Sequence, residues 1–135
     1  MRIFVKTGGE FDQTIDGLNV MVDLILRGAL GAPDNLHAAS EILSVQTHLG
    51  QKSFPVLDIV NIMSSKLGAF VGRGSLNDLK DLIFLVGNFP EKVYNVRAQL
   101  NQTHRQVLVN TMYARDKTPG AENRMRKFKF TLGIP

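Results

Sequence analysis

Along the first half of the chain apolar and polar positions alternate with a period of two, and along the second half they recur every three to four residues. "RIFVK" (2–6) reads as a short strand closed by the turn signal "TGGE". "LNVMVDLIL" (18–26) is the clearest strand: Leu18, Val20, Val22, Leu24 and Leu26 fall on one face, and Asn19, Met21, Asp23, Ile25 and Arg27 on the other. After the Gly/Pro loop "GALGAPDN" (28–35), Asp34 is placed to cap a short helix through "LHAASEIL". "SVQTHL" (44–49) and "SFPVLDI" (53–59) then read as strands around a turn at Gly50-Gln51, with Pro55 assigning the second to a sheet edge.

From residue 59 the period changes. Ile59, Ile62, Met63, Leu67, Phe70 and Val71 trace one helical stripe through "IVNIMSSKLGAFVGR", which "GRGS" interrupts. Ser75 is placed to cap "LNDLKDLIFLV", with Asp78 at its third position as in a capping-box variant. Pro90 suits the first turn of "EKVYNVRAQL". Asn101 and Thr103 precede "HRQVLVNTMYARDK", and Pro119-Gly120 precede "AENRMRKFKFTL". The expectation is one α+β domain over 1–135, strand-rich over 1–59 and helical over 60–135. Its small mixed or antiparallel sheet would pack on the helical half.

Composition narrows the chemistry. A chain of 135 residues, 44% hydrophobic and 21% charged, suits a single globular domain. It contains no cysteine, which excludes disulfides, thiolate metal sites and a cysteine nucleophile. The opening "MRIFVKTGGEF" lacks a signal-peptide core, and no stretch reaches the roughly 18 apolar residues of a membrane span. A cytoplasmic protein without a membrane partner is the expectation. The net charge of +4 is uneven: residues 105–129 hold seven basic residues against Asp116 and Glu122, so the remainder is slightly acidic. A basic end on a near-neutral body points to an anionic partner.

An ionised Asp in an otherwise apolar strand needs a partner, a metal or solvent, and Asp23 lies on the mixed face where each is open to it. Downstream, Lys66 and Arg73 are seven residues apart, about two helical turns, and Asp78 and Asp81 share one face of the next helix. Cations in such a pattern suit triphosphate oxygens, and neighbouring carboxylates orient them.

The segments "SKLGAF" (65–70), "GRGS" (72–75) and "DLKDL" (78–82) resemble the polymerase-β-like nucleotidyltransferase superfamily, above all its small abortive-infection-toxin-like members. There an extended segment leads to a helix with K-L-x-A, an Arg-containing loop follows, and D-x-x-D-L lies on the next helix. The resemblance covers about residues 18–87, the later portion of such a domain. It implies nucleotide or phosphate contacts at Lys66, Arg73, Asp78 and Asp81, and a catalytic, metal-side carboxylate at Asp23 with Mg²⁺ as the ion. The chain departs from the pattern in having no D-x-D, and its one Gly-Ser, Gly74-Ser75, lies downstream of Asp23. One carboxylate is too few for a dedicated Mg²⁺ pair. The resemblance therefore implies a truncated or degenerate nucleotidyltransferase-like domain rather than a standalone catalyst.

Plainer expectations stand beside this one. Asp23 can pair with Arg27, and the Lys66–Arg73–Asp78–Asp81 group can be a structural cluster at a helix start. His37, His48 and His104 are scattered, without metal-ligand spacing. The tail "RMRKFKF" sets Arg124, Arg126, Lys127 and Lys129 among Phe128 and Phe130, a pattern for nucleic acid. Met125, Phe128 and Leu132 also recur as a docking stripe. A protein-interaction module, binding another protein or its own copies, is the alternative to nucleotide handling.

Overall fold

The computed structural model describes residues 2–6, 19–23 and 32–135, and among the side chains of the first two segments those of Ile3 and Val5. β1 (Arg2–Lys6) and β2 (Asn19–Asp23) pair antiparallel, with Arg2 opposite Asp23 and Lys6 opposite Asn19. The expected strand over 18–26 is thus found over 19–23; Leu18 and residues 24–26 lie outside the described residues. A second antiparallel ribbon joins β3 (Ser40–Thr47) to β4 (Gly50–Leu57) in unbroken register from Ser40–Leu57 to Thr47–Gly50. The fold is α+β, with its strands in the first half and its helices in the second.

The helix expected over 36–43 does not form. Asn35, not Asp34, starts a single turn by accepting the Ala38 N–H on its side chain at 3.1 Å, and Ala39 N–H donates to Asn35 O. Ser40 onward then joins the ladder, because an eight-residue pairing outcompetes a helix of barely two turns that must first be nucleated. The tight turn falls at His48–Leu49 instead of Gly50–Gln51. Gly50 has φ 99°, a left-handed conformation that glycine adopts without a Cβ clash, and its carbonyl accepts from the Thr47 hydroxyl at 2.7 Å. Pro55 sits on β4, which has an open edge as expected.

Five α-helices follow: α1 (Ile59–Arg73), α2 (Leu76–Asn88), α3 (Pro90–Val96), α4 (Gln102–Arg115) and α5 (Ala121–Leu132). Asp58 caps α1 by accepting the Asn61 N–H at 2.8 Å, Ser75 caps α2 and Asn101 caps α4. α1 packs against α2, α3 and α4, while α5 closes over α2, α3 and α4. Met63, Leu67, Leu82, Val93, Leu108 and Leu132 are fully buried at the centre. The docking stripe on α5 is borne out, since Met125, Phe128 and Leu132 all join this core. No helix among the described residues is long and apolar enough to cross a membrane.

The ribbon contributes little to that core. From Glu41 to Gln46 and from Gln51 to Pro55 every residue is exposed, and ties to the helices lie at the base, where Ala39 is buried and Glu41 meets Lys92 of α3 at 3.3 Å. Leu82→Ala should therefore cost about 2–5 kcal/mol in urea denaturation, because it opens a cavity at the centre of the bundle. Ile42→Ala on the ribbon should stay within about 0.5 kcal/mol.

Candidate functional site at the α1–α2 edge

Gly74 and Ser75 link α1 to α2 and set the geometry of the site. Gly74 takes a left-handed conformation at φ 63°, and its N–H closes α1 on Phe70 O at 2.8 Å. The chain then reverses, so the last turn of α1 faces the first turn of α2. Asp78 occupies the third position of α2, where a negative charge favours the helix dipole.

The capping-box variant expected of Asp78 is replaced by a stronger interaction. Its side chain is only 2% exposed and accepts two hydrogen bonds from Arg73, at 2.6 Å from Nε and 2.9 Å from Nη2. Lys66 Nζ lies 3.7 Å from the same carboxylate and 2.6 Å from Asp81 Oδ2. The two-turn spacing on α1 and the one-turn spacing on α2 thus place Lys66, Arg73, Asp78 and Asp81 in one network. Hydrogen bonding from Arg73 holds the Asp78 carboxyl below its ordinary pKa; burial opposes this, and the positive charges of Arg73 and Lys66 add to the lowering.

Among the described residues the network holds two cations and two carboxylates. Asp78 is sequestered, whereas Arg73 is 52% exposed and its guanidinium is fixed in direction by the carboxylate beneath it. Such an arrangement can present oriented N–H donors to an anion. It does not suit Mg²⁺: both carboxylates are directed at cations, and among the described residues no three His, Cys, Asp or Glu side chains gather as a metal site. Asp23 ends β2 opposite Arg2, and its side chain lies outside the described residues.

The basic tail divides differently from its sequence. Arg124 turns back into the α4–α5 connection, where it contacts both oxygens of Asp116 at 2.9 Å, Pro119 O at 3.0 Å and the Thr118 hydroxyl. The Thr118 hydroxyl and N–H, with Arg124, hold Asp116 below the usual carboxylate range. Arg126 donates to Asn123 at 3.1 Å. Among the described residues the Lys127 and Lys129 ammonium groups have no hydrogen-bond or ion-pair partner. Arg126 and Lys127 line a groove of about 720 Å³ between α3 and α5, beside the stacked rings of Tyr94 and Phe130 at 4.9 Å. Phe130 is 67% exposed there, and the Arg97 guanidinium lies 3.5 Å above the Tyr94 ring.

Two structural residues escaped the sequence reading. Arg105, one of the seven basic residues, is buried and donates from Nε to Leu100 O at 3.2 Å and from Nη1 to Leu132 O. It therefore clamps the end of α5 instead of facing a partner. Gly133 has φ 63°, a left-handed conformation that favours glycine, and an added Cβ would meet Arg97 Cδ at 2.9 Å and make that side chain shift. No pattern of apolar periodicity marks either one.

Asp78→Ala should lower stability by about 2 kcal/mol, the scale of hydrogen bonds to a charged group. Asp81→Ala, on the exposed side of the network, should lower it by less than about 1 kcal/mol. Because the folded pKa of Asp78 is depressed, its stabilisation is complete above the ordinary Asp value and is lost as pH falls through the lower folded value. Urea midpoints of the unmodified chain and Asp78→Ala should accordingly differ at neutral pH and converge in acid.

No family model, no curated protein and no solved structure matches the chain.

Proposed function

We propose that this domain is a degenerate relative of the nucleotidyltransferases that has kept a phosphate-binding edge without a metal-dependent reaction of its own. The observation that supports it most is the joining of Lys66, Arg73, Asp78 and Asp81 in one network, since these are the residues the resemblance marks. In this reading Asp78 and Asp81 orient the cations, and Arg73 and Lys66 donate to the phosphates of a nucleotide. Mg²⁺ would arrive on the nucleotide, and Asp23 is the carboxylate proposed to meet it. Because the described cations and carboxylates balance, binding depends on pre-oriented donors instead of net attraction. Affinity for ATP should be about millimolar, near −4 kcal/mol. Titration with ATP, with and without Mg²⁺, followed by amide chemical shifts, should move residues of the α1–α2 edge. Lys66→Ala and Arg73→Ala should each abolish those shifts; shifts that survive both substitutions refute the reading.

The α3–α5 groove supports a second reading, a surface for single-stranded nucleic acid. Among the described residues Lys127 and Lys129 have no charge partner, and they flank the exposed face of Phe130, which suits phosphates alternating with stacked bases. Binding of an oligonucleotide should weaken steeply with salt, and Lys127→Ala should reduce the slope of log affinity against log salt by about 0.7, one phosphate contact on a single strand. Phe130→Ala should weaken binding with little change in slope. An affinity indifferent to salt removes this reading and leaves the first untouched.

A further inference from the structure

A cleft of about 540 Å³ opens where α2 and the start of α3 meet α4 and α5. Its walls are apolar: Ile83 and Val86 come from α2, Met112 from α4, and Met125 and Phe128 from α5. Val86, Met125 and Phe128 are core residues, so the cleft reaches down to the bundle interior. Gly87 lines it as well, within α2 and with an ordinary helical backbone. A Cβ added at Gly87 would meet nothing within 4 Å. Neither strain nor close packing calls for glycine there, and glycine is a poor helix former. What its missing side chain provides is room in the cleft.

Polar groups lie among these walls in a particular balance. Asp116 and Arg124 pair with each other at 2.9 Å and cancel in charge. The Thr131 hydroxyl donates to Lys127 O at 3.0 Å. The Lys127 ammonium, which has no hydrogen-bond or ion-pair partner among the described residues, is left as a single positive charge at the cleft.

We propose that this cleft binds a small amphipathic anion, a straight-chain monocarboxylate whose tail lies between α2 and α5 and whose headgroup meets Lys127. Volume, apolar walls and one free polar group are the usual features of a small-ligand site. A peptide segment would bring backbone N–H and C=O groups that these walls leave unsatisfied, which is costly on burial, whereas a methylene chain brings none. The lone ammonium selects a negative headgroup over a neutral or cationic one. From Arg124 to Thr131 helix α5 rises about 10 Å, room for a tail of about eight carbons. Gly87 takes no part in either reading of function given above, so the failure of this proposal would leave both standing.

Octanoate titrated into the full chain, followed by amide and methionine-methyl chemical shifts, should move residues of α2 and α5 together with Met112 and Met125. It should bind about fifteenfold tighter than hexanoate, because each further buried methylene contributes about fourfold. Gly87→Leu, which fills the open space, should abolish binding with an unchanged circular dichroism spectrum, whereas Gly87→Ala should retain it. Lys127→Ala, at an exposed position, should weaken octanoate about tenfold and leave 1-octanol unaffected. No octanoate binding, equal affinity for the two chain lengths, full binding by Gly87→Leu, or an unchanged octanoate affinity in Lys127→Ala overturns the proposal.

Discussion

A carboxylate almost fully withdrawn from water has to stay ionised at the start of α2, and the α1–α2 edge is arranged around that requirement. Asp78 is tolerable there because Arg73 supplies a two-pronged hydrogen bond and Lys66 a second positive charge. Removing a partner of such a pair is more damaging than the net stability of the pair suggests, since the remaining charge loses its compensation. The consequence is geometric. α1 must end at Arg73, the chain must reverse within Gly74 and Ser75, and Asp78 must arrive one turn into α2. The left-handed Gly74 is what allows so short a reversal.

The positive charge of the C-terminal region is divided between structure and surface. Arg105 is buried against the carbonyls that end α5 and the preceding turn, and Arg124 ties the α4–α5 connection to Asp116. Neither contributes a free charge to a partner. What faces the α3–α5 groove is narrower and more specific: Arg126 and Lys127 beside a stacked aromatic pair, with Lys129 close by on the same helix. Net charge over a segment therefore overstates its binding surface when guanidinium groups are used to satisfy backbone carbonyls, which is a task their five donors suit.

The two halves of the molecule obey different constraints. The helices enclose a continuous apolar core in which, among the described residues, no buried side-chain polar atom lacks a hydrogen-bond partner. The ribbon instead holds itself by cross-strand pairing and leaves Leu43, Val45 and Phe54 in contact with water. Apolar side chains inside a bundle are explained by the bundle. Those on the exposed ribbon lie outside the bundle and are not covered by it.

Much of the helical half was legible because caps and apolar spacing are local. Ser75, Pro90 and the Met125–Phe128–Leu132 stripe each act within a few residues of their own position. The spacing of Lys66, Arg73, Asp78 and Asp81 likewise determined that they could share an edge, since two short helices joined by a tight turn leave few alternatives. Which carboxylate would be buried, and that Asp78 would take Arg73 in place of capping its own helix, followed only from how α1 and α2 pack. The same holds for Ser40–Leu43, whose local preference for a helix yielded to pairing with Phe54–Leu57, and for Arg105, one of whose acceptors, Leu132 O, lies at the far end of α5. Periodicity records what a residue does to its neighbours along the chain. Burial and pairing across the chain depend on desolvation and on partners that only the assembled fold brings near.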